Sequence, residues 1–336
     1  MARRLDLVEE DVRTRPGPGS RPRSRLRPTY PDARLGQVVA VDRGRFTCAV
    51  DGRDVIAVRA KELRRTPVVV GDLVALVGDL SGRPDTLARI VRIEPRRTVL
   101  RRSADDADPE ERVIVANADQ LAVVCSVANP APQPRLVDRY LVAAFDGGLD
   151  VVLVFSKADL ADPQPLLDMY RPLEVPMVVT ANRQPGPELP ELLRDRMTVF
   201  AGASGVGKST LINALVPGAG RATAEVNEVT GKGRHVTTST VVFDLPGGGR
   251  VVDTPGVRSF GLAHLDVERV VAAFPDLAPA TVDCPRDCDH QPHPELDPEA
   301  ARCALDSWVA AGHAAAQRLE SLRRLLASLQ HREAER

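Results

Sequence analysis

The run Gly202-Ala203-Ser204-Gly205-Val206-Gly207-Lys208-Ser209-Thr210 places three glycines ahead of a lysine and two adjacent hydroxyls. Glycines at these spacings let the backbone curl so that its N–H groups converge on phosphate oxygens. The stretch before it, Met197 to Ala201, is apolar and strand-like, and the stretch after it, Leu211 to Val216, is helix-like. A helix starting there aims its positive end at the same point. Strand, glycine loop and helix define a P-loop, in which Lys208 reaches the β- and γ-phosphates and the Ser209 hydroxyl ligates Mg²⁺. Downstream, Val251-Val252-Asp253-Thr254-Pro255-Gly256 puts a carboxylate at the end of an apolar strand. Asp253 is expected to hold Mg²⁺ through water, and the Gly256 N–H to meet the γ-phosphate.

Between these two motifs lies Gly231-Lys232-Gly233-Arg234-His235-Val236-Thr237-Thr238-Ser239, polar and without apolar periodicity. It reads as a switch loop that GTP orders and hydrolysis releases, with Thr237 or Thr238 completing the Mg²⁺ shell beside Ser209. The residue after Gly256 is Val257, which cannot orient an attacking water as a Gln does in many GTPases. His235 has the right chemistry to position that water or take its proton near neutral pH.

The base reader is Phe155-Ser156-Lys157-Ala158-Asp159, after the apolar strand Val151 to Phe155. The Asp159 carboxylate can accept two hydrogen bonds from guanine N1–H and the exocyclic amine, a pair adenine cannot donate. Ser156 stands where the usual pattern has Asn, which weakens one contact and leaves the carboxylate, and Lys157 completes the motif. Thr180-Ala181-Asn182 ends the next strand and supports the same site. Position 156 precedes position 202, so the order of base reader and phosphate loop is reversed relative to standard GTPases and the domain is circularly permuted. Such a cut leaves strand neighbours unchanged and leads the strand ending at Asp253 into a C-terminal appendage.

That appendage holds Cys284, Cys288, His290 and Cys303, the Cys₃His set of a closed structural zinc site, with His293 as an alternative imidazole. The Pro- and Asp-rich stretch between them has too little apolar content for a core, so metal supplies its folding energy. The five cysteines are an odd number, which argues against a disulfide framework in a cytosolic chain. Cys48 and Cys125 sit in strand-like runs as buried thiols.

These motifs need a scaffold, and 336 residues with 43% hydrophobic and 27% charged content suit a soluble protein of two or three domains. Net charge is −1, yet the first 34 residues carry nine Arg against five acids, the composition of a solvated leader able to follow an RNA backbone. Strand-like runs at Gly36 to Val41, Phe46 to Val50, Val55 to Val58, Leu73 to Val77 and Leu87 to Ile93 suit an OB-type barrel, with an SH3-like barrel leaving a similar trace. Its basic residues (Arg43, Arg45, Arg53, Arg59, Lys61, Arg64, Arg65) and single aromatic, Phe46, favour backbone contact over base stacking. From about residue 112, strands at Leu121 to Val127 and Val151 to Phe155 flank a helix from Leu136 to Phe145, the texture of a parallel sheet with helices on its faces. From Ala304 the chain is helical, with Leu319, Leu322, Leu325, Leu326 and Leu329 on one face. No long apolar run or signal-peptide core is present, so a cytoplasmic monomer away from membranes is expected.

The chain resembles the ribosome small-subunit-dependent GTPase A family of circularly permuted bacterial GTPases. Gly202 to Thr210, Gly233-Arg234-His235, Asp253 to Gly256 and Arg258-Ser259-Phe260-Gly261-Leu262 carry the resemblance, which covers nearly everything after the leader. It implies a multidomain fold: a basic leader over residues 1–34, an OB-type RNA-binding barrel over 35–97, a central α/β circularly permuted P-loop GTPase domain over 110–275 and a zinc-binding helical domain over 276–336. It also implies GTP/GDP, Mg²⁺ and Zn²⁺ as ligands and His235 as catalytic. The implied partners are the small (30S) ribosomal subunit and its 16S rRNA, with hydrolysis stimulated by the subunit late in its maturation. Ser156, Val236 after His235 and the long insertion before Cys303 depart from the family pattern. Two rivals are an RNA-binding scaffold with little turnover and an ATP-using P-loop enzyme.

Overall fold

Alternation of inward apolar and outward polar side chains builds the first five strands, β1 (Arg34–Asp42), β2 (Arg45–Val50), β3 (Arg53–Arg59), β4 (Leu73–Gly78) and β5 (Ala88–Ile93). Val38, Phe46, Cys48, Val55, Leu76 and Ile90 fill their common core. Arg43-Gly44 and Asp51-Gly52 make the two hairpin turns with positive φ at both positions, the requirement of a type I′ turn. Strand order is β1-β2-β3-β5-β4, with β3 and β5 parallel and the ring closed by a β1–β4 pairing. That closure is the OB arrangement and decides against the SH3-like alternative. The computed structural model describes residues 30–63, 66–103, 111–219, 240–254, 267–292 and 303–330.

A hairpin of β6 (Val99–Ser103) and β7 (Glu111–Ala116) follows, which the sequence did not suggest. Val99 and Leu100 are the only apolar residues of β6, too short a signal to stand out. The strand is fixed by its partner and by a bond from Val99 N–H to Gly147 C=O at 3.0 Å.

The central sheet contains β8 (Gln120–Ser126), β9 (Asp150–Ser156), β10 (Met177–Val179), β11 (Met197–Ala201), β12 (Val241–Asp244) and β13 (Arg250–Asp253), in the order β10-β9-β8-β11-β13-β12. All neighbours are parallel except β12–β13. Near-continuous apolar strands are the mark of a sheet covered on both faces. Leu121, Val123, Leu153 and Phe155 turn to one face, where α1 (Pro134–Asp146) packs, while Ala122, Val124, Val152 and Val154 turn to the other, against α3 (Glu188–Leu193) and α4 (Lys208–Leu215). α2 (Gln164–Tyr170) links β9 to β10.

The C-terminal part contains α5 (Val267–Ala272), α6 (Ala304–Ala310) and α7 (Ala316–Gln330). The helical stretch expected from Ala304 is broken between α6 and α7 around Gly312, whose φ is 82°. Leu319, Leu322, Leu325 and Leu326 of α7 join the same core as α1, β8 and β9. Arg318 fixes α7 further, pairing with both Asp276 carboxylate oxygens at 2.8 and 2.7 Å and donating to Pro172 C=O at 2.7 Å.

Candidate functional site

β11 and α4 hold the glycine loop at the C-terminal edge of the sheet, with α4 beginning at Lys208 itself. Gly202, Gly205 and Gly207 have φ of 145°, 79° and 104°, values that L side chains rarely adopt. A Cβ at Gly202 would lie 2.2 Å from the Val124 C=O of the neighbouring strand, so only glycine lets β11 leave the sheet there. The loop is a run of peptide groups curved into a concave donor surface, which suits phosphate oxygens. Ser204, Ser209 and Thr210 are exposed, Ala203 and Gly207 are half-buried, and Val206 is buried beneath the loop. The Lys208 ammonium donates to Gly202 C=O at 2.7 Å and Ala203 C=O at 2.8 Å, so its charge sits over the loop.

Asp253 ends β13, and its backbone lies opposite Phe200 of β11. Burial pushes its carboxyl above the usual range while the nearby Lys208 charge draws it down. The carboxylate and the Ser209 hydroxyl are oxygen donors of the kind Mg²⁺ takes, the ammonium suits phosphate oxygens, and the sheet brings all three to one edge.

The segment Ser156-Lys157-Ala158-Asp159, expected to read the base, leaves β9, two strands from β11 on the same edge. Ser156 is 3% exposed, and its hydroxyl donates to Val206 C=O at 2.6 Å. The Lys157 ammonium donates to Gly205 C=O at 2.8 Å and to Asn129 C=O. Two consecutive residues of the base reader thus bind two consecutive carbonyls of the P-loop. Ser156 is turned to that loop rather than outward, an orientation that its position in the motif did not reveal. Asp159 is exposed, and one of its oxygens accepts the Asn182 N–H at 2.9 Å. A carboxylate has about four acceptor sites, so capacity remains for two further donors. Thr180 N–H to Phe155 C=O at 2.8 Å and Ala158 N–H to Thr180 C=O at 3.1 Å join the Thr180-Ala181-Asn182 segment to the base reader. His235, Thr237, Thr238, Gly256 and residues 258–262 lie outside the described residues.

The cysteine cluster closes at a second place. The ligand atoms of Cys284, Cys288, His290 and Cys303 all lie within 4.8 Å of one another. Cys284 Sγ is 3.6 Å from His290 Nδ1 and 3.9 Å from Cys303 Sγ, and Cys303 Sγ is 3.7 Å from His290 Nδ1. Tetrahedral zinc, with bonds of about 2.0 to 2.3 Å, spaces its ligand atoms about 3.5 to 3.8 Å apart, a spacing close to that of Cys284, His290 and Cys303, with the Cys288 sulfur in the same cluster at a looser distance, so the donor set is compatible with that ion. Burial pushes the Cys303 thiol up to about 12 and the Cys288 thiol up as well. It also pulls the His290 imidazole down, which favours the neutral, ligating form. Behind the ligands, Arg323 of α7 donates to His290 C=O at 2.8 Å and to Asp306 at 2.9 Å. His293 lies outside the described residues, and His290 is the imidazole that meets the three sulfurs.

Sequence reasoning missed Tyr140. It is 1% exposed in the middle of α1, and burial pushes its phenol up to about 12 against smaller opposing effects of the Arg139 charge and the Gly202 backbone. Its sequence signal is that of any apolar position on a helix, so nothing marked it as a neighbour of the P-loop.

A sequence model of the RsgA GTPase family matches residues 93–263. A protein of Chlorobaculum parvum named small ribosomal subunit biogenesis GTPase RsgA is 40% identical over 272 residues, 78% of this chain and 85% of that protein. Among solved structures, YjeQ from Thermotoga maritima is similar with a TM-score of 0.63 at 26% identity, covering 88% of this chain and 98% of that one. YloQ, described as a circularly permuted GTPase, gives 0.62 at 23% identity over 89% of this chain and 96% of that one, a likeness of fold.

Proposed function

The chain belongs to the RsgA GTPase family, and on that footing we propose that it hydrolyses GTP in the service of small ribosomal subunit biogenesis, the role its relatives' name states. The observation that carries this reading is the pair of bonds from Ser156 and Lys157 to Val206 and Gly205, at 2.6 and 2.8 Å. They unite a base reader and a phosphate loop that stand in reversed chain order into one continuous edge.

In this reading Asp159 selects guanine, the loop from Gly202 to Thr210 wraps the phosphates, and Lys208 lays its charge on the β- and γ-oxygens. Ser209, Asp253 and Thr237 or Thr238 would hold Mg²⁺, which would supply charge neutralisation for the phosphates. Gly256 offers its N–H to the γ-phosphate. His235 orients the attacking water and takes its proton, a task that Val257 cannot perform. Cys284, Cys288, His290 and Cys303 hold Zn²⁺, which stabilises the fold around them.

The partner is the small subunit, met through 16S rRNA. Arg43, Arg45, Arg53 and Lys61 are exposed on the barrel, whereas Phe46 is 2% exposed and lies in the barrel core with the Arg59 guanidinium 5.7 Å from its ring centre. A basic surface whose aromatic is buried suits phosphate contact rather than base stacking. No helix among the described residues is long and apolar enough to cross a membrane. A monomer working in the cytoplasm, where small subunits are assembled, completes the reading. The test is turnover of GTP and ATP, with and without purified small subunits. Stimulated, GTP-selective turnover is expected. Equal rates with and without subunits favour a nucleotide-binding scaffold, and equal use of ATP removes Asp159 as the base reader.

A further inference from the structure

Arg323 belongs to α7, yet its guanidinium reaches back to the cysteine cluster, and the role inferred for it rests on the reading that Cys284, Cys288, His290 and Cys303 hold Zn²⁺. Its side chain is 16% exposed. Nε donates to the His290 C=O at 2.8 Å, and Nη2 donates to Asp306 Oδ2 at 2.9 Å. In return the Gln291 side chain donates to the Arg323 C=O at 3.2 Å. Asp306 stands in the first turn of α6, whose cap is Cys303, and the Asp306 N–H bonds to the Cys303 C=O at 3.2 Å. One side chain therefore joins the turn that carries His290 to the helix that starts from Cys303.

That link has two physical consequences. His290 and Cys303 are separated by residues 291–302, and holding the ends of such a stretch together costs entropy. A guanidinium presents its donors in a fixed plane, so binding His290 and Asp306 at once fixes the two ends relative to each other. His290 also has a φ of 58°, left-handed backbone in which the Cβ crowds the following carbonyl oxygen. A residue stays in that region only when its surroundings hold it. Arg323 holds it by that same carbonyl, and so keeps Nδ1 aimed at Cys284 Sγ and Cys303 Sγ, 3.6 and 3.7 Å away. The next residue, Arg324, turns the other way and donates to Asp138 of α1 at 3.1 Å.

We propose that Arg323 is a positioning residue of the zinc site: it ligates no metal, and by bridging His290 and Asp306 it keeps the Cys₃His set in the closed arrangement that retains zinc. Retention then depends on α7, a helix that supplies none of the four ligands.

The test is transfer of zinc from the full chain to a chromophoric chelator, with visible spectra of the same proteins loaded with Co²⁺. The variants are Arg323→Met, which keeps an unbranched stem and removes both donors, Asp306→Asn, and Leu325→Ala, which weakens the packing of the same helix without touching the cluster. Arg323→Met is expected to hold zinc about 10- to 100-fold more weakly and to show altered Co²⁺ bands at full loading. Asp306→Asn, at a half-exposed carboxylate, is expected to lose about threefold, and Leu325→Ala to match the parent in both readouts. Parent-like affinity and bands in Arg323→Met overturn the proposal and spare the zinc site. Should that variant fail to fold, unchanged affinity in Asp306→Asn overturns the bridge. An equal loss in Leu325→Ala makes the effect one of general stability and also overturns it. A parent chain that takes up no zinc overturns the zinc reading itself, and the proposal with it.

Discussion

In the function proposed for this chain a charged acceptor at position 159 discriminates guanine from adenine, and its environment makes that role testable. Asp159 is exposed and already holds the Asn182 N–H at 2.9 Å, so its position is set before any base arrives. Asp159→Asn replaces one acceptor oxygen by a donor. The preference for GTP over ATP should fall about a hundredfold, the worth of two hydrogen bonds to a charged group, in a competition titration. The metal cluster makes a second demand on single residues. Cys303 is 8% exposed and lies within 3.9 Å of Cys284 Sγ and 3.7 Å of His290 Nδ1. Cys303→Ala removes one of four ligands, and elemental analysis of purified protein should show zinc well below one equivalent. The melting temperature should fall with it, because metal binding there is folding energy.

At the level of elements, the P-loop depends on how closely β11 approaches β8. Gly202→Ala puts a methyl group where the Val124 carbonyl already stands, 2.2 Å away, at a φ of 145° that alanine resists. The strands must separate, so a loss of about 3 kcal/mol or more is expected in urea unfolding, together with loss of nucleotide binding. The docking of α7 depends on a different interaction. The Arg318 guanidinium beside Asp276 holds that carboxyl below its ordinary value. A carboxyl depressed in the folded state contributes stability above the unfolded value, about pH 4, and that contribution disappears as pH falls through the folded value. The acid limb of a stability-versus-pH curve should therefore be steeper in the parent chain than in Arg318→Ala. Equal limbs in the two proteins would remove Asp276 from the account of acid sensitivity.

Over the whole molecule, residues 33–336 form one compact unit, although the chain contains a barrel, a layered α/β sheet and a helical end. The barrel is joined to the sheet by the Ala40–Val241 pairing, and Arg96 pairs with Asp72, a carboxylate that is fully buried, at 2.7 and 2.9 Å. At the other end the leucines of α7 pack against α1, in the same core that holds the α1 face of β8 and β9. Leu325 is 0% exposed, and Leu325→Ala should cost about 3 kcal/mol. Because that core is shared, the loss should shift a single unfolding transition. A separate early transition confined to the helical end would show that α7 folds on its own.

How much of this was legible in the chain depends on the range of each interaction. The P-loop, the acid at 253 and the base-reading segment are short contiguous runs whose chemistry depends on backbone freedom and residue type within a few positions, and so is the alternation that built the barrel strands. The reversed order of the two nucleotide motifs was likewise written in their positions. Tertiary structure decided what depends on distance across the fold: that the Ser156 hydroxyl faces Val206, that His290 joins the sulfurs, and that α7 packs against α1. A hydroxyl or imidazole makes its bonds over about 3 Å, and the chain brings such partners together only when the strands between them have paired. Residue type therefore fixed which bonds were possible, and the packing of the sheet fixed which ones formed.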